Sequence, residues 1–264
     1  MTRPMNRPLA LAVLLCAAPL ASCDKNTVQE LPLAPVPTAR IKFFNFGLNA
    51  PAVNFYANGT KMTAVRSISD IESTSGVAYS GAGNGGLYSA IAPGQYTLTA
   101  RIADTTGGFK DRPIDTFSAT IADGKSYSVY LSGLYDSTAQ HVDAFVVEDP
   151  VPQQFDYSVA YVRFVNAIYN ANPVTLYAKN TDATVTKDSI AVGGEVAYKA
   201  AGAFTAVPNG VYNLIARYTG SNRSVITRGS VSFVRGHMYT IGARGDTTRT
   251  SGTLAPALDN TANR

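Results

Sequence analysis

The sequence predicts an all-β protein in which two tandem antiparallel β-sandwiches follow a removable leader. Three observations carry this reading. Short runs of alternating apolar and polar residues are bounded by Gly, Pro and Asn turn signals, one unit of such runs occurs twice, and no stretch after residue 23 keeps a helical period over three turns. Composition agrees: of 264 residues, 45% are hydrophobic and only 15% charged, against about a quarter in an ordinary globular chain. This excludes a disordered chain, and 15 Tyr, 22 Gly and 14 Pro without a Trp suit many short strands and turns.

The leader occupies residues 1–22. A basic stretch ends at Arg7, an apolar run follows from Leu9 to Leu20, and small residues close it, the three-part layout of a secretory signal peptide. The run is about 12 residues, too short for a bilayer core that needs roughly 20. Leu20-Ala21-Ser22-Cys23 resembles the bacterial lipobox. That resemblance implies cleavage before Cys23, a diacylglyceryl group on its thiol and an acylated new amine. Cys16 leaves with the leader, so Cys23 is the remaining cysteine and no disulfide can form within the mature chain. Several acyl chains on one residue hold a protein on a membrane where a single chain would not, each buried methylene adding about 0.8 kcal/mol. Residues 23–38 then form a lipid anchor and tether, with Pro32, Pro35 and Pro37 keeping the chain semi-extended. The formal charge of +4 falls to +2, 20 basic against 18 acidic residues, once Arg3 and Arg7 depart. The basic residues are scattered, which argues against nucleic acid as a partner.

Residues 39–148 form the first sandwich and 159–246 the second, joined by a linker at 149–158 that contains Pro150 and Pro152. Ala39 to Ala57 aligns without gaps on Ala160 to Ala178, so that Asn45 falls on Asn166, Asn49 on Asn170 and Tyr56 on Tyr177. Val77-Ala78-Tyr79 matches Val196-Ala197-Tyr198, and the segments around Tyr96 and Tyr127 match those around Tyr212 and Tyr239. Order is kept throughout, as in a tandem duplication.

Within the first copy, Tyr96, Leu98, Ala100 and Ile102 alternate with Gln95, Thr97, Thr99 and Arg101, a strand with one buried and one wet face. Phe117, Ala119 and Ile121 lead to a turn at Asp123-Gly124, after which Tyr127, Val129 and Leu131 resume the alternation, and this reads as a β-hairpin. Val231 and Phe233, a turn at Arg235-Gly236, and Tyr239, Ile241 and Ala243 repeat it in the second copy. About seven short strands per copy fit a two-sheet sandwich. Residues 247–264 are polar and read as a loose tail.

The opening from Asn45 to Tyr56, the Ala-Pro-Gly-x-Tyr-x-Leu segment at Ala92 to Leu98 and the Gly-Lys-x-Tyr-x-Val segment at Gly124 to Val129 resemble the bacterial domain of unknown function 4397. The resemblance implies immunoglobulin-like or prealbumin-like sandwiches, often in tandem in secreted proteins and lipoproteins. The second copy departs at Asn172 and Asn209, where the first has Pro51 and Gly94. No catalytic residues come with the family.

Candidate chemistry is sparse. Gly81, Gly83 and Gly86 spell a dinucleotide fingerprint, but a strand-like segment follows where a helix must offer its amides to pyrophosphate. Ser80 to Gly86 therefore reads as a glycine-permitted flexible loop, with ligand contact as its alternative role. His141 and His237 lie in different contexts, and no thiol but Cys23 remains, which argues against a zinc site or a cysteine nucleophile. Asp104, Asp111 and Asp115 lack EF-hand spacing and are opposed by Lys110 and Arg112. The expectation is no catalytic residue, cofactor or metal, and lipidation at Cys23. Tyr79, Tyr96 and Tyr127 recur in the second copy and read as structural, whereas Tyr88, Tyr130, Tyr135, Tyr157, Tyr161, Tyr169 and Tyr218 do not all repeat. The expected protein is a non-enzymatic, lipid-anchored component of the bacterial cell envelope with a structural, adhesive or binding role, meeting an envelope polysaccharide or protein partner. A carbohydrate-binding module, which needs a planar row of exposed aromatics, is the alternative. An envelope hydrolase, which needs paired carboxylates or a triad in a cleft, is a further one.

Overall fold

The computed structural model describes residues 37–65, 72–103, 108–182, 184, 188–221 and 223–263. The leader, Cys23 with residues 24–36, and Asp104 lie outside the described residues.

In the first copy the strands are β1 (Ala39–Asn45), β2 (Val53–Ala57), β3 (Thr60–Lys61), β4 (Gly81–Ala82), β5 (Ser89–Ile91), β6 (Gly94–Ile102), β7 (Pro113–Ile121), β8 (Ser126–Asp136) and β9 (His141–Glu148). The second copy continues with β10 (Val159–Asn166), β11 (Val174–Asn180), β12 (Ser189–Val196), β13 (Ala200–Ala201), β14 (Thr205–Pro208), β15 (Gly210–Tyr218), β16 (Ser224–Phe233), β17 (Met238–Arg244) and β18 (Ala257–Ala262). Each copy is a sandwich. Sheet β4-β1-β8-β9, with β5 also on β1, faces β3-β2-β6-β7, and sheet β13-β10-β17-β18, with β14 also on β10, faces β12-β11-β15-β16. Pairings between these strands are antiparallel except β1 with β8 and β10 with β17, which are parallel.

The repeated residues hold equivalent joints. Asn45 donates its amide to Pro51 O and Val77 O and accepts from Gly47 N, while Asn166 donates to Val196 O and accepts from Ile168 N. Each asparagine thus satisfies backbone groups where its strand ends. Tyr96 and Tyr212 donate to the carbonyls of Ala92 and Pro208 four residues upstream, and Tyr127 and Tyr239 accept from Ala122 N and Val234 N. These are the corners that the recurring tyrosines predict.

Two expectations are corrected. β7 pairs with β6, and β8 with β1 and β9, so the turn at Asp123-Gly124 carries the chain from one sheet to the other instead of closing a hairpin. Ile121 and Val129 still share one core because they face it from opposite sheets. The polar tail is also not loose: Ala257–Ala262 is β18, antiparallel to β17 as β9 is to β8, and Leu258 enters the second core. Only one large apolar residue marks this strand, too few to show alternation.

β1 and β8 are buried on both faces. Ile41 and Phe43 enter the first core, whereas Phe44 and Tyr130 pack outward with Phe46 and Phe145 against Val165 and Ala167 of the second copy. The sheets that contain β1 and β10 therefore meet back to back, with a third apolar layer between the two sandwich cores.

Candidate functional site

The largest concentration of buried polar side chains lies in this layer. Lys42 of β1 and Arg163 of β10, each 1% exposed, hold equivalent register positions beside Ser128 and Thr240. Arg163 donates to Glu148 O at 2.7 Å and pairs with the Asp149 carboxylate, just past the end of β9. Lys42 reaches the same two places at the end of β18, Ala262 O at 3.4 Å and Asn263 Oδ1 at 3.2 Å. Each copy's first strand thus holds the end of the other's last strand. Rings of the same copy stand by each cation: Tyr88 lies 4.6 Å from Lys42 Nζ, and its counterpart Phe204 lies 5.0 Å from the Arg163 guanidinium.

Hydrogen bonds close the network. Ser128 and Tyr88 donate to Asp149 Oδ2 at 2.6 and 2.5 Å, Asn263 Nδ2 donates to Tyr88 at 3.0 Å, and Arg163 Nε donates to Thr240, which donates to Asn263 Oδ1 at 2.9 Å. Burial lowers the Lys42 pKa to about 8, with Asp149 opposing the change and Arg163 adding to it. Burial, with Asp149 alongside, pushes the Tyr88 hydroxyl well above its ordinary range. Asp149, the first residue of the expected linker, is 3% exposed and belongs to this network.

The same two-fold relation holds at the far end of the interface. Tyr198 shares a 2.8 Å hydrogen bond with Ser132, and its counterpart Tyr79 stands 5.1 Å from the guanidinium of Arg244, which occupies the position of Ser132. Strand starts therefore meet strand starts and strand ends meet strand ends. The connections β1–β2, β6–β7 and β8–β9 and their second-copy equivalents lie at one pole of the body, opposite the pole where β1 begins.

The symmetry breaks at Gly83–Gly86, within the Ser80–Gly86 segment. Instead of a free loop, Gly81 and Ala82 pair with β1, and Gly83–Gly86 forms a 3-10 turn held by Asn84, whose amide donates to Met62 O and Ser89 Oγ. β5 follows, not the helix a dinucleotide site needs. The turn borders a cleft of about 360 Å³ against β18. Phe145 and Val147 fill the equivalent space on the other side, where the second copy has Asp259 and Thr261.

Of the other predicted residues, Asp115 and His141 meet and the rest stand apart. Asp111 occupies the β6–β7 turn at φ +63°, whereas Asp115 lies in β7, 3.9 Å from His141 Nδ1. Partial burial raises the Asp115 pKa, and the hydrogen bond from Lys199, 2.8 Å away, lowers that of Asp143 on the other side of His141. His237 stacks on Tyr239 in the second copy. Tyr88 and Tyr130 are used in the interface. Tyr157 and Tyr161 meet Phe155 at interplanar angles of 60° and 43°, which is not a planar row.

Sequence reasoning misses a hollow of about 340 Å³ at the loop pole of the first copy, bordered by Pro51, Ile102, Phe109, Tyr135 and Gln140. In the second copy, Asn170, Asp246 and Thr247 occupy the positions of Asn49, Leu134 and Tyr135, and they are laced together. Asn170 Nδ2 donates to Asp246 Oδ1 at 2.7 Å, and Thr247 N donates to Asn170 Oδ1 at 3.1 Å. In the first copy Leu134 is 54% exposed and Phe109 47%. The unlike pair Leu134 and Asp246, at otherwise repeated positions, is the sequence signal for this difference.

Among curated proteins, none matches this sequence. Among solved structures, the C-terminal domain of AlgF from P. aeruginosa is similar at 17% identity and TM-score 0.26, over 40% of this chain and 99% of its own. A candidate cell adhesion protein from Bacteroides uniformis is similar at 10% identity and TM-score 0.24, over 85% and 98% of the two chains. One from Bacteroides ovatus gives 12% and 0.23, over 88% and 97%. Likeness at this level carries no inference about activity. A family model described as a domain of unknown function, DUF4397, matches residues 39–177, the whole first copy and the second as far as Tyr177 in β11. That match covers more than half of the sequence, and the chain belongs to the DUF4397 family.

Proposed function

We propose that this chain is a non-enzymatic, lipid-anchored protein of the bacterial cell envelope that acts as a binding or adhesive module. One observation carries the reading: in both copies the connections β1–β2, β6–β7 and β8–β9 and their equivalents share the pole opposite the start of β1, the strand that follows the tether. A module fixed through Cys23 would hold its binding surface away from the lipid, on a scaffold made rigid by the back-to-back sheets. The buried cations and Asp149 are committed to joining the copies, which supports a structural use of these charges over a catalytic one. Ser132 is bonded to Tyr198, an arrangement that does not favour a serine nucleophile. The tilted rings around Phe155 disfavour the carbohydrate-binding alternative at that place.

The test is intact-mass analysis of protein purified from bacterial membranes, comparing wild type with Cys23→Ser. An acylated chain beginning at Cys23, released in soluble form by the substitution, is the expected result. A mature chain cut elsewhere and free of acyl groups would overturn the anchoring.

A further inference from the structure

We propose that Lys42 and Asn263 react with each other, joining β1 of the first copy to the end of β18 in the second by an isopeptide bond with release of ammonia. The bond is a covalent form of the clasp between the copies and is independent of any ligand the module binds. It forms once per molecule. A link between residues 221 apart in sequence restricts the unfolded chain, so the crosslinked form resists unfolding.

The two grips of the interface differ at three equivalent positions, and all three differences gather around one pair. Where the second copy's first strand has Arg163, the first copy's has Lys42, and where Asp149 follows β9, Asn263 follows β18. Phe204 stands beside Arg163, whereas Tyr88, with a hydroxyl, stands beside Lys42. An arginine with a carboxylate is an ion pair and stays one. A lysine with a carboxamide is a poor match for a buried charge, but it sets a nucleophilic amine against an acyl carbon. Lys42 is 1% exposed, and its Nζ lies 3.2 Å from Asn263 Oδ1. With a C=O bond of about 1.2 Å, Nζ is within about 4.4 Å of Cγ, a small side-chain rotation from the roughly 3–3.5 Å of attack.

The groups around the amide match the steps. Thr240 donates to Asn263 Oδ1 at 2.9 Å and accepts from Arg163 Nε at 3.0 Å, so a guanidinium stands behind the hydroxyl where negative charge develops on Oδ1. Asn263 Nδ2 donates to the Tyr88 hydroxyl at 3.0 Å, and Tyr88 donates to Asp149 Oδ2 at 2.5 Å. The attacking amine must be neutral, and burial, with Arg163 alongside and Asp149 opposing, favours that form. Attack forms the Nζ–Cγ bond, the Cγ–Nδ2 bond breaks, and one Nζ proton ends on the departing nitrogen, which leaves as ammonia. Tyr88 gives its proton to Nδ2 and takes one from Nζ in the same exchange, so no phenolate is left beside Asp149. Asp149 is a positioning residue that holds the phenol. A pocket of about 340 Å³ bordered by Tyr88, Asp149 and Asn263 gives the ammonia its exit.

The experiment incubates the chain carrying Cys23→Ser at pH 7, 8 and 9, follows its intact mass, and maps the product by proteolysis and tandem mass spectrometry. At isolation or on incubation, the expected change is the loss of one ammonia, about 17 Da, with the Lys42 and Asn263 peptides recovered as one branched species. Asparagines also lose ammonia by forming succinimides, so the branched peptide decides. From pH 7 to pH 9 the rate should rise about tenfold, as an amine with a pKa of about 8 loses its proton. Lys42→Arg should abolish the loss. Tyr88→Phe, which keeps the ring and removes the hydroxyl, should slow it about 100-fold while the rest of the amide spectrum stays in place. Protein still at its full mass is the unreacted form, and unfolding comparisons at Lys42 refer to it. An unchanged mass after incubation at pH 9, a loss of ammonia that maps elsewhere, or one that persists in Lys42→Arg would overturn the inference. The branched peptide is read on the unsubstituted pair, so a variant that fails to fold leaves the test standing.

Discussion

Lys42 and Arg163 occupy equivalent positions in β1 and β10, and each holds the residue that closes the other copy's last strand. The two grips differ in their partners. Arg163 meets a carboxylate, Asp149, and its planar fork also reaches a carbonyl, whereas the hydrogen bonds of Lys42 among the described residues go to the carbonyl of Ala262 and the amide oxygen of Asn263. One buried charge is compensated directly and the other is not.

Removing the compensation should therefore be severe. Asp149→Ala leaves Arg163 buried and unpaired, and the expected loss is about 3–5 kcal/mol. Arg163→Met combined with Asp149→Leu should recover only part of it, because the apolar pair avoids both desolvation costs but leaves the Ser128 and Tyr88 hydroxyls without their acceptor. Urea midpoints of the three variants check this.

Lys42 should make stability depend on pH above neutrality. Its pKa is lowered from 10.5 to about 8 in the folded chain, so between those values the unfolded chain binds more protons and stability rises with pH. Below about pH 8 the cost of burying the charge, roughly 3 kcal/mol, is present in full. Lys42→Met should be at least as stable as wild type at pH 7, and its advantage should shrink as pH approaches 10.5. Unfolding of both proteins across this range tests the sign.

Gly242 faces Phe46 across the interface, and a Cβ there would stand 2.8 Å from the ring. Gly242→Leu should cost about 1–3 kcal/mol by overpacking. Adding Phe46→Ala should return part of that cost, a coupling that a double-mutant cycle detects.

A chain truncated after Asp246 loses β18 and the Asn263 partner of Lys42, and it exposes the edge of β17. It should associate or precipitate more readily than the full chain, which light scattering during purification reads directly.

What was legible in the sequence follows from how many faces each strand buries. β6 and β7 have one wet face, and their period of two is plain from Gln95 to Ile121. β1 buries both faces, so Ile41, Phe43 and Phe44 show no clean alternation, and a cation within such a run was the overlooked mark of a second packing surface. β18 escaped notice for the opposite reason, with Leu258 alone entering the core. The turn at Asp123-Gly124 misled because a change of sheet and a hairpin can carry the same turn residues. The loop-pole hollow depends on three connections meeting in space, which spacing along the chain does not reveal.

The account's central claim is that two sandwiches are clasped into one body, and scanning calorimetry of the Cys23→Ser chain tests it most directly. A single transition whose calorimetric enthalpy equals its van't Hoff enthalpy is predicted, shifting as a whole in Asp149→Ala. Two separable transitions in the unmodified interface, or one copy's transition unmoved by Asp149→Ala, would contradict it.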